Sequence, residues 1–353
     1  MKKFAIVICI ILILGCVGIV PFRHMHTATE VPDSVEVPDN SVYITISAAG
    51  DCTFGTDTNY SGAMSFEAEM EKQKNNYSHF LKLVKPIFEE DDLTIVNFEG
   101  TLSDRGGRQD KQYAFRGKPE YVKILTSSSV EAVNLANNHT RDYGEVALTD
   151  TKTIMTENNV MWVLGEHYVI KDIKGVKIGI VGSNALTYEG KTKFPKIIEE
   201  MKNQGADLVI ANFHWGEESS KNANETQVSL AHLAIDSGAD LVIGHHPHVL
   251  QGIEKYKGKY IVYSLGNFAF GGHKNPYDKD TMIFRQTFRF KDGVLLTGYE
   301  NAEIIPCSIS SVKERNNYQP MPLSGDEFKR VMEKIIDRSK GFYGIGDVKF
   351  TER

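Results

Sequence analysis

The chain has 353 residues, enough for one large α/β domain or two smaller ones. Its 41% hydrophobic and 24% charged residues are the proportions of an ordinary globular protein and exclude a low-complexity chain. A formal net charge of −6 excludes the general electrostatic footprint of nucleic-acid binding, so no nucleic-acid partner is expected.

Met1-Lys2-Lys3 precedes an apolar or small run from Phe4 to Val20, closed by Pro21-Phe22-Arg23. A basic start followed by about 17 apolar residues suits a membrane anchor or a secretory signal, and we read residues 1–23 as an anchor with the lysines inside. Ile13-Leu14-Gly15-Cys16 also resembles a lipobox, which would make Cys16 a lipid attachment site. Residues 24–40 are polar, with Pro32 and Pro38, and read as a linker that tethers an extracytoplasmic body to the membrane. Outside the apolar run, Cys52 and Cys307 are the remaining thiols, and their separation does not establish a disulfide.

From residue 41 onward strand-like and helix-like runs alternate. Strands are expected at Val42–Ala48, Leu93–Asn97, Ala132–Leu135, Val176–Val181, Leu208–Asn212, Leu241–Ile243 and Tyr260–Ser264. Helices are expected between them at Ser78–Phe88, Glu145–Asn158, Lys196–Gln204 and Gln227–Asp236. This alternation predicts an α/β fold with helices on the outer faces of its sheet. Thr281–Phe290 and Val294–Tyr299 flank Lys291-Asp292-Gly293, a hairpin signal, and Met332–Ser339 reads as a last helix. We expect one domain over 41–300, with 301–353 as a C-terminal extension packed on it.

Polar groups follow nearly every expected strand: Asp51, Asn97 and Glu99, Asn138 and His139, His214, the cluster Gly244-His245-His246-Pro247-His248, and Asn267. Open α/β sheets place ligands at such strand ends. Asp51, Glu99, Asn138, His214, His246 and His248 offer mixed oxygen and nitrogen donors. That set suits two divalent ions, manganese, zinc or iron, with Glu99 or Asp51 bridging. His246 and His248 are two apart, which on extended backbone points both rings the same way, and Pro247 biases His246 toward that geometry. His245 should then face the other side and is the weakest of the three. His139 is a candidate proton donor to a leaving group, with Asp142 orienting it. Arg116, Lys118 and Asn267 are candidate substrate contacts, Arg116 for its planar fork and Lys118 for its point charge. Trp215 and Phe268 read as wall residues.

In this order, Gly50-Asp51, Asn97-Phe98-Glu99-Gly100, Asn137-Asn138-His139, His214-Trp215-Gly216, His246-Pro247-His248 and Ser264-Leu265-Gly266-Asn267-Phe268 resemble the CapA family of bacterial capsule synthesis proteins. The domain of that family is similar to calcineurin-like metallophosphatases. The resemblance implies a four-layer α/β/β/α sandwich of the metallophosphatase type with a dinuclear-type site. It departs from the metallophosphatase pattern at Thr53, where an imidazole is expected two residues after the Asp, and at Glu99, which stands for an Asp. It also implies a role in making, exporting or attaching an anionic γ-glutamyl polymer at the cell envelope. The membrane and the subunits of a polymer synthase or export complex would be its partners. The expected activity is a metal-dependent hydrolase or transferase. The alternatives are a non-catalytic polymer-binding or scaffold subunit and a phosphoesterase acting on another envelope substrate.

Overall fold

Alternation of apolar side chains along the strands sorts the molecule into layers. In strand β1 (Val42–Thr53), Ile44, Ile46 and Ala48 face one side while Ala49 and Cys52 face the other; in β2 (Leu93–Phe98), Leu93 and Ile95 oppose Val96 and Phe98. These strands, with β3 (Ala132–Asn134), belong to a ten-stranded mixed sheet. The same parity holds in β4 (Leu208–His214) and β5 (Leu241–His245) of a second, six-stranded sheet, where Leu208, Ile210, Leu241 and Ile243 oppose Val209, Ala211 and Val242. The first set from each sheet forms one shared buried cluster, so the two sheets meet through it. The opposite faces are covered separately. Phe66 and Met70 of the helix Phe66–Lys72 pack on the first sheet, and Ile198, Met201, Ala231 and Ala234 of the helices Phe194–Asn203 and Glu225–Asp236 pack on the second.

This computed structural model describes residues 39–60, 62–299 and 301–353, and residues 40–353 form one compact unit. The expected anchor at 1–23 and nearly all of the linker at 24–40 lie outside the described residues. Among the described residues, no helix is long and apolar enough to cross a membrane. Across the first sheet, β1 pairs in parallel with β2, β2 with β3, and β1 with the short strand β6 (Asn267–Phe270). The segment after residue 300 adds to this sheet, since Asn301–Ser308 pairs antiparallel with Asp280–Lys291. In the second sheet β5 lies parallel to β4, with His245 opposite His214.

Most expected elements form close to their expected bounds; β1 runs on to Thr53, the last helix starts at Gly325 rather than Met332, and the hairpin and the first expected helix are rearranged. The hairpin turns through Asp292 and Gly293, both at positive φ, but its return strand is only Val294–Leu295; the long partner is Asn301–Ser308. The single helix expected over Ser78–Phe88 is instead a 3₁₀ turn at Tyr77–His79 and a short helix at Lys85–Phe88. Pro86 accounts for the break, because proline fits the first helical turn and disrupts a helix interior. Cys52 and Cys307 are free thiols, both buried.

The helix Gly325–Arg338 is tied to the strand Asp280–Lys291 by a bidentate pair, Arg330 Nη1 and Nη2 donating to Asp280 at 2.6 and 2.7 Å, with Lys334 also on that carboxylate. Burial pushes the Asp280 carboxyl up, but hydrogen bonds from Arg330 and Lys334 outweigh it and hold the group below its ordinary value. A depressed folded value means the stabilisation is complete above the unfolded carboxylate value, about 3.9, and is lost as pH falls through the folded one. Asp280→Asn should therefore cost about 1–3 kcal/mol at pH 7, the Arg330 side being partly solvent-screened, and should flatten the acid limb of stability. Urea denaturation at pH 7 and near pH 3 checks this; parallel pH profiles for the variant and the parent would contradict it.

Candidate metal centre

The parallel strands of both sheets end at one edge, and their last residues converge there. Continuing the inward parity of Leu93 and Ile95 places Asn97 on the inner face, and continuing Leu208 and Ile210 does the same for His214. In β1 the inward order Ile44, Ile46, Ala48 would bring Gly50 inward, but the register with β2 shifts between Ala49 and Asp51. That irregularity re-aims Asp51 into the seam, as bulges do. Gly50 is needed there: a Cβ would lie 2.0 Å from Gly266 O, whose carbonyl accepts from Asp51 N at 2.9 Å.

Asp51, Asn97, Glu99 and His214 are all fully buried. Asn97 Nδ2 donates to Asp51 Oδ1 at 2.8 Å and to Glu99 Oε1 at 3.0 Å, so one amide spaces two carboxylates. His248 Nδ1 lies 3.1 Å from Asp51 Oδ2 and 2.9 Å from Asn267 Oδ1, while Asn267 Nδ2 donates to His248 O at 3.2 Å. His214 Nδ1 approaches Glu99 Oε1 at 3.6 Å, and its Nε2 is hydrogen-bonded to Asn138 Oδ1 at 2.8 Å. The His246 ring sits between those of His214 and His248, with centroids 4.6 and 5.8 Å away. The structure thus brings together Asp51, Glu99, Asn138, His214, His246 and His248, with Asn267 beside them.

The His cluster reaches the centre differently from the expectation. His246 and His248 are not extended; both have positive φ, 96° and 58°. Pairing in β5 ends at His245, and the chain must double back to Leu250, which bridges Leu265, so the bend overrides the bias set by Pro247. His245, expected to face away, is in phase with Leu241 and Ile243 and points inward, its Nδ1 3.4 Å from Asp51 Oδ1. Left-handed backbone at two non-glycine residues costs about 1–3 kcal/mol each and persists only where the surroundings over-determine it.

The electrostatics follow from burying two acids in one seam. Burial pushes Asp51 up, but its contacts with His245 and His248 outweigh it and hold the carboxyl well below its ordinary range. Glu99 is held well above its range by burial and then by the neighbouring Asp51 charge. Burial opposes a charge on His248, yet Glu99 and Asp51 outweigh it and raise the ring to about 10. His246 is lowered to about 4 by burial and by His248, and His214 is lowered well below its ordinary value, chiefly by burial.

Whether a metal fits is decided by the groups left over. Glu99 Oε2, His246 Nδ1 and His245 Nε2 are buried without a hydrogen-bond partner, while Asp51 Oδ2 and His245 Nδ1 have only ion-pair contacts, to His248 Nδ1 at 3.1 Å and to Asp51 Oδ1 at 3.4 Å. Ligand atoms of Asp51, Glu99 and His248 lie within 4.8 Å of one another. Carboxylate and imidazole donors converging with lone pairs unspent fit a divalent cation of the zinc, manganese or iron kind.

Beside this centre His139 Nδ1 is 2.7 Å from Asp142 Oδ2, and that carboxylate also accepts from Phe115 N at 2.6 Å. Lys111 Nζ bridges Asp142 Oδ1 at 2.8 Å and Asn138 O at 3.0 Å. Burial lowers the His139 value, with Asp142 opposing. His139, His248, Asn267 and Glu218 line one end of a cleft of about 1410 Å³. Arg116 and Lys118 are not brought to it and line a separate hollow of about 240 Å³. The Arg116 guanidinium lies 3.7 Å from the Tyr143 ring centroid and its Nη2 donates to Gly106 O at 2.9 Å, so loop packing holds the group away from the cleft while its Nε stays buried without a partner.

Lys111 and Glu218 carry no signal in the sequence; Asn97 is expected there only as a strand-end polar group, and His245 as the weakest of its cluster. His245 and Asn97 were accessible through strand parity. Lys111 and Glu218 lie on loops, and only tertiary contacts bring them here.

Gly244 lets β5 approach its neighbours: a Cβ would lie 2.1 Å from Tyr263 O and 2.5 Å from Trp215 Nε1, two atoms already hydrogen-bonded at 2.9 Å. Gly244→Ala is expected to lose about 1–3 kcal/mol by overpacking and to weaken metal binding by displacing the His245–His248 bend. Denaturant titration with and without added zinc measures both; wild-type stability together with wild-type metal affinity would contradict the close approach.

Residues 45–272 match the model of the family described as bacterial capsule synthesis protein PGA_cap. The chain is 30% identical over 307 residues to the PGA biosynthesis protein CapA of Bacillus subtilis (strain 168), covering 79% of this chain and 77% of that protein. It is 34% identical over 286 residues to the capsule biosynthesis protein CapA of Bacillus anthracis, covering 73% and 67%. Among solved structures, it is similar to the calcineurin-like phosphoesterase YfkN from Bacillus subtilis, with 18% identity, a TM-score of 0.44, and coverage of 85% of this chain and 99% of that one.

Proposed function

The chain belongs to the bacterial capsule synthesis protein family, and on that premise we propose that it acts in the synthesis or export of an anionic γ-glutamyl polymer through a divalent-metal hydrolase or transferase site. The apolar run 4–20 would hold the body at the outer face of the membrane, beside the other subunits of a polymer synthase or export complex. We read the paired sheets and their two helical coverings as a four-layer α/β/β/α sandwich of the metallophosphatase type, with 301–353 as an extension of the 41–300 domain.

The observation that carries the reading is the convergence of ligand atoms of Asp51, Glu99 and His248 within 4.8 Å of one another, with Glu99 Oε2 buried and without a hydrogen-bond partner. Asn138, His214 and His246 complete the donor set. A divalent ion held there would polarise a phosphoryl or acyl oxygen and activate water. The chain's own residues do the rest. Asp142 engages His139 Nδ1, which leaves Nε2 as the nitrogen available to exchange a proton with a leaving group. Asn267 holds His248 in place from two sides while lining the cleft through which substrate would enter.

The purified full chain should bind manganese, zinc or iron near-stoichiometrically, and Asp51→Asn or His248→Ala should weaken binding by at least about 100-fold and abolish polymer production. Metal analysis after dialysis and polymer assay in a complemented strain test this; a metal-free chain with a fully active Asp51→Asn variant would sink it. One observation favours a scaffold instead. Thr53 stands where an imidazole would be expected, its Oγ1 buried and unpartnered. If Asp51→Asn and His139→Ala both support normal polymer production at normal protein levels, the scaffold reading replaces the enzyme.

A further inference from the structure

Thr53, whose buried Oγ1 has no hydrogen-bond partner, stands in β1 where the metallophosphatase pattern has an imidazole. The cleft supplies a different group. Ligand atoms of Glu218, His246 and His248 lie within 4.8 Å of one another, a second set that meets the first at His248. His246 is only 6% exposed, and its Nδ1 is buried without a hydrogen-bond partner.

Glu218 is exposed, yet its loop is tied to the His bend. Trp215 N donates to His245 O at 3.1 Å and Ser219 N to Pro247 O at 2.8 Å, so the carboxylate is flanked on both sides by bonds to the segment that carries the imidazoles. Gln251 Nε2 holds the far end of the loop, donating to Ser220 O at 3.0 Å and Asn222 O at 3.1 Å. Two imidazoles and one carboxylate make a three-ligand set that keeps a position open for water or substrate. The exposure of Glu218 at the cleft is what an open position requires.

We infer that Glu218, with His246 and His248, forms a second divalent-cation position at the cleft side of the centre, each ring giving its single lone pair to this ion and leaving Asp51, Glu99, Asn138 and His214 to the first. This rests on the metal reading above and adds to it a ligand, Glu218, and the division of the donors between the two ions. The Glu218 carboxylate adds negative charge and favours harder ions, so manganese should occupy this position more readily than a thiophilic metal would.

The test is equilibrium dialysis of the metal-stripped full chain against manganese or zinc, with bound metal counted and affinities taken from calorimetric titration. The parent should hold two ions, and Glu218→Gln should hold one, its second ion weakened by roughly 100-fold or more. Glu217→Gln, the adjacent acid outside the group, should still hold two. The inference is overturned if Glu218→Gln keeps two ions at parental affinity, or if the parent holds a single ion that Glu218→Gln leaves unchanged. In both of those cases the metal reading survives. A parent chain that holds no ion overturns that reading itself, and this inference with it.

Discussion

Two carboxylates, Asp51 and Glu99, are fully buried at the seam where the two sheets end, and the surrounding structure is organised around making that tolerable. Taking an ionised carboxylate out of water costs several kcal/mol even after relaxation, and placing a second beside it adds repulsion. The chain answers with one amide, Asn97, donating to both acids, and with imidazoles at 3.1 and 3.4 Å from Asp51. The compensation is incomplete. Asp51 is held low while Glu99 is held high, so without a cation the seam carries less negative charge than its two acids could supply.

The backbone deviations in this region serve the same constraint. The irregularity after Ala49 turns Asp51 inward, Gly50 lets β1 close on Gly266, and Gly244 lets β5 lie against Tyr263. The positive φ values at His246 and His248 then swing two rings toward acids that regular strands would have left unpaired. Loop bonds lock this bend from both sides, through Ser219 to Pro247 and through Asn267 to His248. A centre built on strand ends is held more rigidly than one built on loops, because the sheets' shared apolar layer fixes the strands.

Much of this was legible in the residue order. Alternating strands and helices and polar groups after successive strands place the site at one sheet edge, where Asp51, Glu99, His214, His246 and His248 are found. What escaped is instructive in physical terms. His246 and His248 were identified from a spacing argument that assumes extended backbone, and they converge through a kinked one. His245 was set aside on the same assumption, although its phase with Leu241 and Ile243 pointed inward. Glu218 carries no local signal, because its place beside His246 depends on a loop bond to Pro247. Arg116 has the fork an anion needs, but whether that fork is free is decided by the Tyr143 ring and the carbonyls of a distant loop.

The altered residue at Thr53 could be taken as the mark of a site that has lost its chemistry, and energetics argue against reading it alone. A seam with no ligand to hold would be more stable with apolar residues at these positions, since each buried polar atom left without a partner costs about 1–3 kcal/mol. Here Glu99 and His246 keep such atoms, and the backbone carries left-handed strain at His246 and His248 besides. On the proposal of a divalent-cation site, strain and unspent lone pairs gathered around one point have a common account: a cation held there would relieve the repulsion between Asp51 and Glu99 and draw on donors left without a partner.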